Sequence, residues 1–392
     1  MGKIVFFLPD VVGGVASVVN NILQYAPDGS NVDVIAYSDS RISRKTLDPM
    51  LYAGSFSRFI YNGDDSNFFT AKRLFRQTPS DLACIVATDV PELKMVQRLR
   101  LNKPVVYIVL GDFGHYYDLA LHNEGIIDSY IAISREIENR LIHLLPHRRQ
   151  DIHLAYAPTP AVPVKRTPAG NTDPLRIIYV ARLEEGKNPL ILPRIDALLK
   201  TNGIEVQWTV VGDGPLRAQL ETAIGDAENF TLTGFLSSAD LSRQYTSHDI
   251  FMLPSEYEGL PVSLIEAMKT GLTPIVSDLP GGIREVVEPG IDGFLCPPSD
   301  EKAFAAAIRR LHEDRGLLEH LSAKAEAFAD LIFDPGKCAN RYWNVIDEAV
   351  KAAPRRKKHI IRRNGALDRE WLPNIVVRLL RKVQYRNPIK SE

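Results

Sequence analysis

The amino-acid sequence predicts an α/β protein made of two doubly wound domains. Short apolar segments alternate with helical patterns over residues 1–156, and the same alternation starts again after a proline-rich segment. Strands that are almost continuous in Val, Ile and Leu, with helices between them, are typical of a parallel sheet covered on both faces. The 392 residues suffice for two or three domains, at about 100–200 residues per domain.

The first domain is predicted at residues 1–160. Helical patterns, with apolar residues every three or four positions, cover Ala16–Tyr25 and Arg135–Leu145. Ala157–Pro174 holds five prolines and little apolar pattern, which indicates a linker over about 161–174. The predicted strands of this domain are Lys3–Leu8, Val32–Tyr37, Leu82–Ala87, Pro104–Val109, Ser129–Ile133 and Asp151–Tyr156.

The second domain is predicted at residues 175–334, followed by a last helix over 335–353 and a tail over 354–392. The predicted strands are Leu175–Val180, Glu205–Val211, Phe230–Leu232, Ile250–Leu253, Thr273–Val276 and Gly293–Leu295. The predicted helices are Pro189–Thr201, Leu216–Ile224, Ala239–Thr246, Pro261–Thr270 and Asp300–Leu311. Two such α/β units joined by a hinge are expected to face each other across a cleft.

Composition excludes several classes of protein. Hydrophobic residues make up 45% and charged residues 24%, which is ordinary globular usage and argues against a disordered, collagenous or disulfide-stapled chain. Cys84, Cys296 and Cys338 have no metal-ligand spacing, so we expect a reducing compartment, the cytoplasm. The apolar run Ile4–Leu8 is too short for a secretory signal, and no run reaches the roughly 18 residues of a membrane-spanning helix.

The formal net charge of −1 conceals an asymmetry. From Lys351 onward the chain has 13 lysines and arginines and three acidic residues, so this part carries +10 and the remainder −11. An acidic body with a basic tail says more about binding partners than about fold.

Two cations follow the predicted first strand of the second domain, in the stretch Tyr179-Val-Ala-Arg182-Leu-Glu-Glu-Gly-Lys187. Ligands of doubly wound folds bind beyond the carboxyl ends of the strands, where Arg182 and Lys187 are expected. A guanidinium and an ammonium together suit a diphosphate, whose negative charge grows as a bond to it breaks. The alternative is an ordinary solvated loop.

The segment Ser255-Glu-Tyr-Glu258-Gly259-Leu260-Pro261 precedes a predicted helix that contains Glu266. Pro261 suits the first helical position, so the amides near Gly259, Leu260 and the helix start would form an anion site. Glu266 would lie about 7 Å further along the axis, at about 1.5 Å per residue, where it could accept hydrogen bonds from a ribose. The alternative is a pair of surface glutamates on a capped helix.

Glycines follow two other predicted strands. Gly13 and Gly14 come after the first strand of the chain, and Gly212 lies in Val-Gly-Asp-Gly-Pro after a strand of the second domain. Such glycines let backbone amides approach an anion; the alternative in both places is a tight strand-to-helix turn. The dinucleotide-binding fingerprint fails at Gly212, because Arg217 replaces its third glycine.

These segments, taken together and in order, resemble the retaining, family-four nucleotide-sugar glycosyltransferases of GT-B fold over about residues 2–350. The motifs that carry the resemblance are G-G-V, V-A-R-L-x-x-x-K-N-P, V-V-G-D-G-P, L-T-G-F and S-E-x-E-G-L-P-x-x-L-I-E-A-M-x-x-G-x-x-P-I-V. The resemblance implies two Rossmann-like domains. It also implies transfer of a hexose-type sugar from a nucleoside diphosphate to a hydroxyl with retention of configuration, and no required metal or cofactor.

The resemblance also implies roles for the residues at matching positions. Arg182 and Lys187 would hold the diphosphate, Glu258 the hydroxyls of the donor sugar and Glu266 the ribose. Phe235 would lie against the base, Gly13 and Gly14 would approach the phosphate from the opposite wall, and the last helix would return to the first domain. In this interpretation Arg182, Lys187 and Glu258 form the catalytic set.

One departure from the family concerns the first domain. The family's histidine position falls on Leu110 or Gly111 in this sequence. His115 is a candidate to replace that histidine, and Asp112 is a candidate for a polar role at the sugar or acceptor; the alternative is that His115 is a loop histidine.

The tail contains a second amphipathic pattern. From Pro373 a helix would place Ile375, Val376, Leu379, Leu380 and Val383 on one face, with Arg378, Arg381 and Lys382 flanking or opposing it. A basic amphipathic helix suits an anionic membrane surface and would bring the chain to a lipid-linked acceptor. The alternatives are docking on the acidic body and, less favoured, nucleic-acid binding.

The sequence therefore predicts an enzyme of surface polysaccharide or glycolipid synthesis, cytoplasmic or at the inner face of the cytoplasmic membrane. A catalytically silent nucleotide-sugar-binding subunit and a nucleotide-sugar epimerase of the same fold are the alternatives. The sugar, the base and the acceptor depend on a few hydrogen bonds that the sequence does not specify.

Overall fold

The computed structural model describes residues 2–42, 46–52, 54–160, 164–168, 170, 173–352, 357, 359 and 372–386. The chain divides into two compact units. The N-terminal unit comprises Met1–Ile133, Ile137–Tyr156 and Cys338–Glu392, and the C-terminal unit comprises Ser134–Glu136 and Ala157–Lys337. Each unit is a parallel sheet with intervening helices, so the predicted fold class of two Rossmann-like domains is confirmed.

A seven-stranded sheet forms the centre of the N-terminal unit. Its strands are β1 (Lys3–Pro9), β2 (Val32–Asp39), β3 (Ser55–Tyr61), β4 (Leu82–Ala87), β5 (Val105–Val109), β6 (Ser129–Ala132) and β7 (Ile152–Leu154). All pairs are parallel, in the order β3-β2-β1-β4-β5-β6-β7. Ile4 of β1 pairs with Val32 of β2 and with Cys84 of β4, so the order reverses between β1 and β4.

Five helices lie between these strands. They are α1 (Gly14–Gln24), α2 (Asn67–Phe75), α3 (Val90–Leu99), α4 (Gly114–His122) and α5 (Arg135–Leu144). The sequence patterns did not predict β3, because it is an edge strand in which only Phe59 is buried. The start of α3 is fixed by a capping box, in which Glu92 accepts hydrogen bonds from the amides of Thr88 and Asp89, both at 2.7 Å.

A six-stranded sheet forms the centre of the C-terminal unit. Its strands are β8 (Leu175–Val180), β9 (Val206–Val211), β10 (Phe230–Gly234), β11 (Ile250–Leu253), β12 (Thr273–Ser277) and β13 (Phe294–Cys296). The order is β10-β9-β8-β11-β12-β13, with every pair parallel. Ile177 of β8 pairs with Trp208 of β9 and with Ile250 of β11. The order therefore reverses between β8 and β11.

Seven helices cover this sheet. They are α6 (Leu192–Thr201), α7 (Arg217–Ile224), α8 (Ser238–Thr246), α9 (Val262–Thr270), α10 (Gly282–Val286), α11 (Glu301–Glu313) and α12 (Arg315–Ile332). Pro261 is the N-cap of α9, with ψ of 108°, and not its first helical residue as predicted. The sequence patterns did not predict α12, although its buried Leu318, Leu321, Ala325 and Ala329 follow helical spacing.

The described part of the proline-rich segment is held by a buried ionic cluster. The guanidinium of Arg166 is 3.2 Å from Asp249, and the Arg176 guanidinium is 2.7 Å from the same carboxylate. The Arg166 amide also donates to the carbonyl of Thr270, at 2.9 Å. Asp249 is fully buried, so its charge depends on these two partners. Residues 161–163, 169 and 171–172 of the predicted linker lie outside the described residues.

Helix α13 (Pro335–Lys351) returns to the N-terminal unit, against which it packs. The Trp343 indole donates to the carbonyl of Ile22 at 3.1 Å, and the Tyr342 hydroxyl donates to the carbonyl of Ala155 at 2.7 Å. Of the predicted basic tail, the structure describes Lys357, His359 and residues 372–386, which include helix α14 (Asn374–Arg386). The other tail residues from 354 onward lie outside the described residues.

Among the helices that the structure describes, none combines the length and the apolar character that crossing a bilayer requires.

Candidate functional site

The candidate site lies in the C-terminal unit, where the strand order reverses. Strands β8 and β11 are neighbours, but the chain leaves them toward opposite halves of the sheet. The loops at their carboxyl ends therefore diverge and leave a crevice between them, as in other doubly wound folds. The loop after β8 carries Arg182 and Lys187, and the loop after β11 carries Glu258.

Lys187 and Glu258 meet across this crevice. The Lys187 ammonium is 2.8 Å from Oε1 of Glu258, and the side chains are 19% and 8% exposed. The Ser255 hydroxyl donates to the same carboxylate oxygen at 2.7 Å. The Tyr179 hydroxyl donates to the Lys187 carbonyl at 3.1 Å, which fixes the loop on the strand that precedes it. Two residues separated by 71 positions thus form a largely buried, oriented ion pair.

Tyr257 completes one side of this pair and was not identified from the sequence. Its ring centroid lies 5.5 Å from the Lys187 ammonium, within the range of a cation–π contact. A Cβ at Gly186 would lie 2.1 Å from the ring, so glycine at 186 leaves the space that the ring occupies. The Glu256 amide donates to the Gly186 carbonyl at 2.9 Å and joins the two loops directly.

Arg182 is held less tightly than Lys187. Its guanidinium is 3.3 Å from the carboxylate of Glu184, on the same loop, and its side chain is 56% exposed. An exposed ion pair of this kind stabilises a fold by at most about 1 kcal/mol. Because this ion pair is weak, Arg182 can leave Glu184 for a more strongly charged anion at little cost in free energy.

Helix α9 begins at this crevice. Gly259 and Leu260 lead into it, Pro261 caps it, and the first amides of any helix have no partner within the helix. A Cβ at Gly282 would lie 1.9 Å from the Gly259 carbonyl, so the loop before α9 packs directly on the backbone of α10. This positively polarised helix end follows Glu258 by a few residues in the chain, on the same loop after β11.

Glu266 lies inside α9, on the turn after the helix start. Burial raises its pKa to about 7, and a hydrogen bond from the Tyr245 hydroxyl at 3.5 Å opposes that rise only in part. A half-buried carboxylate with spare acceptor capacity suits hydroxyl groups of a ligand. Its pKa also makes its charge sensitive to pH near neutrality.

The structure gives Gly212 a role within the fold. Its φ is +139°, and a Cβ there would lie 1.9 Å from the Ala181 carbonyl, so the loop after β8 passes too close for a side chain. Its amide donates to the carbonyl of Gly234 at 2.9 Å. These contacts account for the glycine without a phosphate. Phe235 follows Gly234 at the carboxyl end of the edge strand β10, and its side chain is 47% exposed.

The remaining predicted residues lie in the N-terminal unit, where the order reverses between β1 and β4. Gly13 is the N-cap of α1 in an extended conformation, and a Cβ at Gly13 or Gly14 would meet no atom within 4 Å. Among the residues that the structure describes, no contact therefore calls for glycine at either position. Their predicted approach to a phosphate stays a prediction.

His115 and Asp112 have different surroundings. Nε2 of His115 lies 3.0 Å from the carboxylate of Asp89, and the imidazole is 56% exposed. Asp112 accepts hydrogen bonds from the Tyr117 hydroxyl at 2.6 Å and from Arg140 at 3.0 Å. Asp112 is thus committed to a local network, whereas His115 is exposed and oriented by a carboxylate. The sequence interpretation missed Asp89, although Asp89-Val-Pro-Glu92 after a strand is a readable capping box.

Part of the C-terminal unit matches a known protein family. Residues 164–328 match the family described as Glycosyl transferases group 1. The chain is 42% identical over 149 residues to the amylovoran biosynthesis glycosyltransferase AmsK of Erwinia amylovora, which covers 36% of each protein. It is 23% identical over 337 residues to a lipopolysaccharide 1,6-galactosyltransferase of Salmonella typhimurium, which covers 82% of this chain and 92% of the relative.

Solved glycosyltransferases share the fold of this chain. HepE of Anabaena, solved with UDP and glucose, has a TM-score of 0.72 at 20% identity, covering 88% of this chain and all of that one. The lipopolysaccharide outer core galactosyltransferase WaaB has a TM-score of 0.65 over 88% of this chain and 99% of its own. The resemblance to glycosyltransferases of GT-B fold is thus confirmed. The chain spans only 36–40% of the length of the first curated relatives it matches.

Proposed function

We propose that the chain is a retaining glycosyltransferase that moves a hexose-type sugar from a nucleoside-diphosphate donor to a hydroxyl group. The observation that carries the proposal is the Lys187–Glu258 pair, 2.8 Å apart, in the crevice between β8 and β11 and beside the start of α9. A cation, a carboxylate and a helix N-terminus within one crevice match the charges of a sugar esterified to a diphosphate.

The charged and aromatic residues predicted at the donor site each have a role in this proposal. Lys187, Arg182 and the first amides of α9 bind the diphosphate oxygens. Glu258 accepts hydrogen bonds from hydroxyls of the donor sugar, and Ser255 holds its carboxylate in place. Glu266 accepts hydrogen bonds from the ribose, and Phe235 lies against the base.

The proposed reaction exchanges one bond at the anomeric carbon for another. The bond from that carbon to the phosphate oxygen breaks, and its electron pair stays on the leaving nucleoside diphosphate. The acceptor oxygen forms the new bond on the same face, and its proton passes to the leaving phosphate oxygen. Lys187, Arg182 and the α9 amides stabilise the negative charge that develops on that phosphate.

Glu258 is assigned to binding because its charge is already engaged. Lys187 and Ser255 both contact Oε1 of Glu258, and the pairing with a cation lowers the nucleophilicity of the carboxylate. Its remaining lone pairs are therefore assigned to hydroxyls of the donor sugar. Protein cations supply the positive charge at the diphosphate, so the proposal requires no metal or organic cofactor, and activity is expected to persist with EDTA.

The proposed acceptor is a saccharide or a lipid-linked saccharide of surface polysaccharide or glycolipid synthesis, used in the cytoplasm or at the inner face of its membrane. The names of the relatives support this class: one acts in amylovoran biosynthesis, and another is a lipopolysaccharide 1,6-galactosyltransferase. The exposed His115, oriented by Asp89, is proposed as a sugar or acceptor contact in the N-terminal unit.

Two measurements test the donor site. Thermal-shift screening with UDP-, GDP-, ADP- and dTDP-sugars identifies the donor, because a ligand stabilises the state to which it binds. Binding of the matching free nucleoside diphosphate is then compared among the wild type, Lys187→Ala and Glu258→Gln. We expect Lys187→Ala to weaken this binding strongly. Glu258→Gln should change it little, because the free diphosphate lacks the sugar.

Donor hydrolysis without acceptor separates the proposed enzyme from the alternatives. A transferase slowly releases sugar and nucleoside diphosphate, an epimerase yields a second nucleotide sugar, and a silent binding subunit yields no product. Release of the sugar with its original anomeric configuration supports retention, and inverted sugar contradicts it.

A further inference from the structure

Helix α14 is attached to the N-terminal unit through one face. The guanidinium of Arg378 forms an ion pair with the carboxylate of Asp65, and the Asn374 amide donates to the same group at 2.9 Å. Arg381 donates to the Asp65 carbonyl at 2.6 Å. Val377, on the same face, is fully buried. The hydrogen bonds from Arg378 and Asn374 outweigh burial and lower the pKa of Asp65, so the attachment holds at neutral pH.

The opposite face of α14 is apolar and exposed. Ile375 and Leu379 are 70% and 61% exposed, and Val376 and Leu380 are 36% and 43% exposed. At about 100° per residue these four side chains fall within an arc of about 140°, centred opposite Val377 and Arg381. We call these four residues the α14 stripe. Four adjacent large apolar side chains on one helix face mark an interaction surface.

Docking on the body and membrane binding are therefore compatible. The sequence allowed them as alternatives, but the attachment uses the face that carries Asn374, Val377, Arg378 and Arg381, so the stripe points away from the unit. The Lys357 ammonium, 2.6 Å from Asp128 and 4% exposed, holds the start of the tail to the same unit. The helix is thus presented on a folded support rather than on a loose chain.

The positive charge of the tail sequence indicates which kind of partner the α14 stripe binds. Residues 351–392 carry +10, so an apolar stripe lies within a strongly basic segment. A second copy of the chain would bring an equal positive charge to the stripe and be repelled. An anionic lipid surface supplies both an apolar layer for the stripe and negative charge for the lysines and arginines, each contributing about 1 kcal/mol near such a surface.

We propose that α14 binds the surface of an anionic lipid bilayer, with the stripe inserted and the opposite face still attached to the N-terminal unit through Asp65. The helix lies in the plane of the surface, its apolar face about 5–10 Å deep. This inference does not depend on the proposed sugar transfer, since it rests only on α14 and the tail.

Co-sedimentation of the full-length chain with vesicles tests the inference. One set of vesicles is pure phosphatidylcholine, and the other is an equal mixture of phosphatidylcholine and phosphatidylglycerol. The test variant is the double substitution Ile375→Ser and Leu379→Ser. The matched control is Leu331→Ser on α12, which removes a leucine that is 67% exposed and outside the stripe. All three side chains are exposed, so folding should be unaffected, and circular dichroism verifies this.

We expect the wild type and Leu331→Ser to bind the mixed vesicles alike and the neutral ones weakly. The double variant should bind the mixed vesicles at least about tenfold less, the loss expected from one buried leucine or more. No binding by the wild type, or equal binding by the double variant, overturns the inference. A wild-type dimer that the double variant converts to monomer, without vesicle binding, assigns the stripe to a second copy and also overturns it.

Discussion

Replacing Lys187 by alanine removes the cation of the central ion pair. At 2.8 Å and an effective dielectric constant of about 20, the gross Coulomb attraction between Lys187 and Glu258 is about 6 kcal/mol. Desolvation of both groups offsets most of it. Breaking a fully buried pair costs about 3–5 kcal/mol and breaking an exposed one less than about 1. With side chains 19% and 8% exposed, we expect a loss of about 2 kcal/mol in the free energy of unfolding.

The loss of turnover should be larger. Removing one preorganised group that stabilises transition-state charge lowers kcat by about 10²–10³, which corresponds to about 3–4 kcal/mol. The assay is donor hydrolysis or transfer, at a temperature where urea denaturation shows the variant still folded. Lys200→Ala is the matched control, because the Lys200 ammonium lies 2.8 Å from Asp196, which is 7% exposed, in the same unit.

The control separates catalysis from stability. Lys200→Ala should keep wild-type turnover, because Lys200 lies near the C-terminal end of α6, away from the loop that carries Lys187. Its loss of stability should be at most about 1 kcal/mol, since Lys200 is 47% exposed and Asp196 keeps its hydrogen bonds from Trp208 and Asn229. If Lys187→Ala turned over donor at the wild-type rate, the assignment of Lys187 to the diphosphate would be refuted.

Three further predictions concern buried charges. Burial raises the pKa of Glu266 to about 7, and only the ionised carboxylate accepts fully from ribose hydroxyls. As the pH is raised toward 7, the affinity for a nucleoside diphosphate, measured by calorimetry, should therefore increase by up to about tenfold per pH unit. Glu266→Gln should abolish this rise, and an unchanged pH profile would contradict the role. Burial raises the pKa of Glu92 to about 8, so the folded state holds a proton that the unfolded state releases above about 4.5. As the pH rises between these values, the free energy of unfolding should fall by up to about 5 kcal/mol, and urea denaturation of Glu92→Gln, which keeps the capping oxygen, should lack that decline. Asp249→Asn leaves the buried Arg166 paired with Glu319 but removes the buried carboxylate that Arg166 shares with Arg176. It should destabilise the chain by about 1.5–3 kcal/mol, the usual cost of losing a hydrogen bond to a charged group; a change below about 1 kcal/mol in urea denaturation would argue against this cluster as a main support of the linker.

Periodicity and strand-end logic predicted both sheets and the edge at which Lys187 and Glu258 meet. They did not predict that the two side chains bind each other, because facing loops can present charges to a ligand or to one another, and only distances decide. Tyr257 was missed for a related reason: its ring fills space left by Gly186, which is 71 positions away in the chain.

Other misses have local causes. Strand β3 alternates weakly and buries only Phe59, so it lacks the apolar run that marked the other strands. Helix α12 has apolar residues every three or four positions, a pattern that predicts a helix and was overlooked. The amphipathic pattern of α14 was recognised, but its attachment to Asp65, 313 positions away, depends on the folded N-terminal unit and leaves no local signal.

A crystal structure of the full chain with its preferred nucleoside diphosphate tests the central claim most directly. We predict diphosphate oxygens within hydrogen-bonding distance of the Lys187 ammonium and of the first amides of α9, with the ribose hydroxyls on Glu266. A diphosphate bound elsewhere, with Lys187 still paired only to Glu258, would contradict the account.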